Sequence, residues 1–184
     1  MLRCFIAIEL SDTIREKVRT LQEAMRKLHP PVRFTDAAGI HLTLKFLGAV
    51  QENLVERIKQ NLNECRTQSG FDIRVRGLGA FPTLSSPRVF WMGIDDQPLL
   101  SQLQNRIEEE LSWMEIRETR PFHPHLTLAR AKERKGLAPL IEYIKINAES
   151  FDAGTLSVRG FHLYQSILKP SGSQYVKMAS FALT

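Results

Sequence analysis

Leu2 to Leu10 are nearly all apolar and rich in β-formers, which predicts a strand over residues 2–10. Ile14, Val18, Leu21, Met25 and Leu28 then recur at helical spacing, so a helix with one buried stripe follows. Thr13 and Glu16 fit a capping box at its start, and His29-Pro30-Pro31 ends it. A short extended piece from Val32 to Thr35 leads through Gly39 into a strand over about 40–48. Leu54, Val55, Ile58 and Leu62 mark a second helix, closed near Ser69-Gly70. Strands are predicted at about 71–81 and 88–94, either side of the turn-rich FPTLSSP. Pro98 suits a helix start, and Leu99, Leu103, Ile107 and Leu111 form its stripe. A strand over about 124–131, a weaker helix over about 137–146, and strands over about 151–165 and 174–183 complete the chain. The last two flank a turn at Lys169-Pro170-Ser171-Gly172.

The two halves of this series match. His-Leu-Thr-Leu occurs at 41–44 and again at 125–128, an offset of 84. Arg3–Ala7 matches Arg88–Met92 at 85, Leu21-Gln22 matches Leu103-Gln104 at 82, and Val32-Arg33 matches Ile116-Arg117 at 84. Phe71-Asp72 meets Phe151-Asp152 at 80, and Val75-Arg76-Gly77 meets Val158-Arg159-Gly160 at 83. Matches in one order, with offsets of 80–85, predict an internal duplication. The expected fold is α+β: residues 1–184 as one bilobal domain, two pseudo-symmetric lobes of antiparallel sheet flanked by helices around a central cleft. Two copies are too few for a solenoid.

Composition narrows this little. No apolar run approaches a membrane span, and the N-terminus reads as a mature strand, not a signal peptide. Cys4 and Cys65 make no disulfide framework and fit a reducing cytosol, so a cytoplasmic protein is expected. A formal charge of +5 is compatible with an anionic partner such as RNA, or with none.

The doubled His-x-Thr carries the chemistry. Strand alternation puts His41 and Thr43 on one face and Leu42 and Leu44 on the other; His125 and Thr127 repeat this. Lobes joined face to face gather two imidazoles and two hydroxyls. One imidazole can take a proton from an attacking oxygen while the other gives one to a leaving oxygen. The hydroxyls can hold the non-bridging oxygens of a phosphoryl group. No metal or other cofactor is expected, because no Asp/Glu cluster accompanies either motif.

These motifs resemble those of the 2H phosphoesterase superfamily, and within it the RNA 2′,3′-cyclic phosphodiesterases, also called 2′-5′ RNA ligases. The resemblance extends over Arg3-x-Phe5-Ile6-Ala7-Ile8, HLTLKFLG at 41–48, FPTLSSPRVFW at 81–91, PHLTLAR at 124–130, LYQSIL at 163–168 and Gly172-x-x-Tyr175. Phe34 departs from it, since such sequences often carry tryptophan there. The resemblance implies hydrolysis of a terminal RNA 2′,3′-cyclic phosphate to a 2′-phosphomonoester, with reversible 2′-5′ joining by the same machinery. It implies His41 as proton donor and His125 as acceptor; near-symmetry leaves that choice open in the residues themselves. RNA ends or nucleotides carrying a cyclic phosphate are the implied partners, with no protein partner and no membrane, and a monomer is expected.

Substrate-binding candidates are Arg130, after the second motif; Lys45, which shares the strand parity of His41 and Thr43; and Phe46, of core parity yet able to stack on a base from the cleft rim. His123 with His125 and His41 offers an alternative metal set. His29 and His162 read as structural, and Arg33, Arg76, Arg117 and Arg159 as a basic approach or as solvated strand residues. Alternative functions are a phosphodiesterase on 2′-5′ oligoadenylates or small cyclic nucleotides, and a non-catalytic RNA- or nucleotide-binding module.

Overall fold

The computed structural model describes residues 1–116, 121–170 and 172–184. Arg117 of the repeat and Ser171 of the final turn lie outside the described residues. Along the chain run β1 (Leu2–Glu9), α1 (Asp12–Arg26), β2 (Val32–Phe34), β3 (His41–Val50), α2 (Val55–Asn63), β4 (Phe71–Phe81) and β5 (Val89–Ile94). Then come α3 (Pro98–Glu110), β6 (His125–Ala131), α4 (Ala138–Asn147), β7 (Asp152–Val158), β8 (Gly160–Lys169) and β9 (Gly172–Ala182).

Two antiparallel sheets result, one ordered β3-β1-β8-β9 and the other β2-β6-β5-β4-β7. Each motif strand therefore pairs with the first strand of its own half: β3 with β1, β6 with β5. The helices cross over. α1, which follows β1, packs on β7 of the five-stranded sheet, while α3, which follows β5, packs on β3 of the four-stranded one. α2 lies against β9 and α4 against β4. One apolar core runs through both lobes, from Ile6, Leu42 and Ile58 to Phe90, Leu126 and Ile144. The α+β bilobal expectation holds.

Three expectations change. α1 is capped by Ser11, whose Oγ accepts from the Ile14 N–H at 3.3 Å; Thr13 and Glu16 are already inside the helix, where Glu16 pairs with Arg19, and no capping box forms. The strand expected over 151–165 is two strands in different sheets. β7 pairs with β4; past Arg159 the chain turns into β8, which pairs with β1 and β9. Gly160 permits this, since a Cβ there would lie 2.6 Å from the Phe181 carbonyl oxygen. The buried apolar positions change parity at the crossing, from Leu156 and Val158 to Phe161 and Leu163, and that shift is its mark in the sequence. Finally, the strand register sets Ala7 opposite Thr43 and Trp91 opposite Thr127, so β1 and β5 correspond at 84, not 85.

Candidate active site

His41 and His125 open their strands and line a single cleft of about 500 Å³ together with Thr43 and Thr127. The four residues that alternation placed on one face are brought together. Arg130 and Phe46 line the same cleft, as do Arg3, Thr35, Ser166 and Tyr175.

Both imidazoles are held alike. His41 Nδ1 donates to the Gly39 carbonyl at 2.8 Å, and His125 Nδ1 to the His123 carbonyl at 2.7 Å. A carbonyl can only accept, so each Nδ1 carries the proton and each Nε2 is left as the free ring nitrogen. Burial lowers the pKa of His41 to about 4, against the raising effect of the Gly39 bond, with the Arg15 cation lowering it further. Burial also lowers that of His125, helped by His123 and Arg130 and opposed by the bond to the His123 carbonyl. Both shifts favour the neutral ring near neutral pH.

Aromatic side chains fix the His41 ring. Phe5 stacks on it at 4.5 Å, Tyr164 stacks behind Phe5 at 5.2 Å, and Tyr175 meets it edge-on at 5.1 Å. Tyr175 comes this close because residue 39 is glycine; a Cβ there would lie 3.2 Å from its ring. The Tyr164 hydroxyl donates to Glu9 at 2.7 Å, and Lys177 donates to the same carboxylate at 2.8 Å. His125 has a simpler setting, with Phe81 edge-on at 5.0 Å.

The expectation for Lys45 is overturned. β3 carries a bulge: Ala7 faces Thr43 and Ile6 faces Lys45, which leaves Leu44 as the extra residue. Parity flips there, so Leu44 and Lys45 are both buried and Phe46 turns out to the cleft, 60% exposed. Lys45 is 5% exposed, ion-paired to Glu108 of α3 and donating to the Ile116 carbonyl at 3.3 Å. β6 bulges at the matching place, Leu128, so that buried Ala129 corresponds to Lys45 and cleft-facing Arg130 to Phe46. The cleft is thus near-symmetric in its histidines and threonines and asymmetric one step beyond, aromatic on one side and guanidinium on the other.

The other candidates scatter. His123 packs edge-on to Phe81 at 5.1 Å, and among the described residues no group of three or more His, Cys, Asp or Glu side chains is placed to hold a metal ion. Arg33 pairs with Arg130 across β2–β6 and reaches Gly172. Arg76 faces Asp95 at 3.5 Å, and Arg159 lines a separate cavity of about 300 Å³ with Glu9 and His162. Phe34 lies under the Arg26 guanidinium at 4.5 Å. Sequence reasoning missed the polar side chain that holds the β6 bulge, Gln22 of α1. Its Nε2 donates to the carbonyls of Thr35 at 2.7 Å and Leu128 at 2.9 Å. Its one trace in the sequence is the Leu-Gln pair repeated in α1 and α3, although Gln104 of the second pair donates instead to Glu108 at 3.0 Å.

Two lobes closing over paired imidazoles and hydroxyls define a two-histidine site of the kind the motifs resemble. The chain belongs to the 2′-5′ RNA ligase superfamily, whose profile matches residues 10–168. An Archaeoglobus fulgidus protein named RNA 2′,3′-cyclic phosphodiesterase is 36% identical over 181 residues, covering 98% of this chain and 99% of its own. One of the same name from Methanothermobacter thermautotrophicus is 32% identical, covering 98% of each. Among solved structures, E. coli LigT complexed with 3′-AMP superposes with a TM-score of 0.81 at 31% identity, covering 100% of this chain and 98% of that one.

Proposed function

We propose that this protein hydrolyses terminal RNA 2′,3′-cyclic phosphates to 2′-phosphomonoesters, with His41 as proton donor and His125 as proton acceptor. Water attacks phosphorus as His125 Nε2 takes its proton; the P–O3′ bond breaks, and His41 Nε2 gives a proton to the departing O3′. Thr43 and Thr127 hold the non-bridging oxygens, Arg130 neutralises the anion, and a base stacks on Phe46. A 5′-hydroxyl in place of water joins two RNA ends 2′-5′ by the same step.

The observation that carries this reading is the matched pair of Nδ1–carbonyl bonds, which leaves two equivalent Nε2 atoms for one cleft. Burial, which lowers the His41 pKa to about 4, makes it a poor donor. A bound phosphate anion beside it raises its pKa, so substrate itself supplies the protonated form. The curated relatives carry the name of this activity, and LigT has been solved with 3′-AMP. Both motif strands come from one chain, which suits action as a monomer with no partner subunit completing the site. Cys4 and Cys65 are free and buried, in keeping with a cytoplasmic setting. No helix among the described residues is long and apolar enough to cross a membrane.

The test is incubation with an oligoribonucleotide ending in a 2′,3′-cyclic phosphate, with and without EDTA. A 2′-phosphate formed in both supports the reading. Loss of turnover with EDTA, or binding without conversion, contradicts it.

A further inference from the structure

Gln22 is fully buried in α1, in a stripe otherwise made of Ile14, Val18, Leu21 and Met25. Its amide nitrogen donates to two carbonyls, Thr35 at 2.7 Å and Leu128 at 2.9 Å, while its Oε1 has no hydrogen-bond partner. Two carbonyl acceptors require the NH₂ end, so the amide orientation is fixed by chemistry. The second acceptor is the bulge residue of β6, whose carbonyl also receives the Thr35 N–H at 2.9 Å. The first begins the loop from Thr35 to Ile40 that leads into β3 and contains Gly39, the acceptor for His41 Nδ1. α1 holds that loop at a second point, through Arg15 to the Ala38 carbonyl at 2.6 Å. One side chain therefore ties the approach to the first histidine to the bulge of the second histidine's strand. Thr35 itself lines the cleft.

We propose that Gln22 is a positioning residue of the reaction, setting the separation of the two imidazoles across the cleft by joining the Thr35 loop to the Leu128 bulge. Two proton transfers on either side of one phosphorus require that separation to be held closely, and a displacement of about 1 Å can cost on the order of 10²-fold. An apolar side chain would fill the same space and leave the Thr35 N–H to Leu128 bond as the direct tie, without the second brace from α1. The bulge is also what turns Arg130 into the cleft, so the same bond supports the guanidinium.

This inference rests on the proposed two-histidine hydrolysis, and its test separates the two. Gln22→Met keeps shape and burial and removes the donor. Assayed below its melting temperature, it is expected to lose at least about tenfold in kcat with KM within about threefold. Combined with His41→Ala it should cost no more than about twofold further, because the pair is already broken. A kcat within twofold of the parent, or an equal loss in the His41→Ala background, overturns the proposal. Should Gln22→Met not fold, Gln22→Asn, which keeps the donor one methylene short, is read by the same criteria. A readout without turnover is histidine NMR with inorganic phosphate: in the parent, His41 and His125 respond with one shared midpoint. Gln22→Met should weaken that midpoint about tenfold or split it; an unchanged shared midpoint counts against the proposal. A parent that binds phosphate at both histidines but hydrolyses no cyclic phosphate contradicts the proposed activity and leaves the positioning role standing.

Discussion

Burial favours the neutral form of His41, whereas the proposed donor role requires the protonated one. Burial pushes its pKa to about 4, well below the ordinary histidine value near 6.5. A bound anion works in the opposite direction. The pH profile of kcat/KM follows the free protein, and that of kcat follows the complex. The basic limb of kcat should therefore lie at least about one unit above that of kcat/KM; coincident limbs would show that the substrate does not recharge His41. Stability gives a second check. Because the folded pKa is lowered, the unfolded chain binds a proton the folded one refuses in the window between. The neutral ring's contribution is complete above about pH 6.5 and is lost as pH falls toward 4. Melting temperature should drop across that window in phosphate-free buffer, and less steeply in His41→Asn. An unaltered slope in that variant would place the titration elsewhere.

The motif strands β3 and β6 would present their residues differently were they regular. A bulge in each reverses the alternation after the threonine, which is why Lys45, assigned to the cleft by parity, is buried against α3, and why Phe46 is exposed. Alternation made His41, Thr43, His125 and Thr127 legible, because all four precede the bulge. It misassigned Lys45 because an extra residue in one strand leaves no mark in a hydrophobic pattern. Lys45→Met should destabilise the protein by an amount near the low end of about 3–5 kcal/mol, since its partner Glu108 stays 33% exposed. It should leave the salt dependence of oligoribonucleotide KM unchanged in thermal-melt and kinetic comparison. A flattened salt dependence would return Lys45 to the substrate.

Two sheets, each carrying a motif strand at or next to its edge and covered by a helix from the opposite half, make the cleft a product of the whole chain. The element order was readable, since Leu and Val spacing reports which face is buried. The exchange of α1 and α3 between sheets was not, because an amphipathic stripe names no partner. The crossing at Arg159 left only a change of apolar parity between Val158 and Phe161. The net charge of +5 adds a diffuse term, so the KM of an oligoribonucleotide substrate should rise with salt more steeply than that of a cyclic mononucleotide. Parallel slopes would confine binding to the terminal nucleotide.

The most direct test is the turnover of one cyclic-phosphate-ended oligoribonucleotide by His41→Ala, His125→Ala and the double variant, each confirmed folded. Acting as a pair on one phosphorus, either single loss should lower kcat by about 10²-fold or more, and the double should be little worse than the more damaged single. Near-full activity in either single variant, or losses that multiply in the double, would contradict two imidazoles working across one cleft.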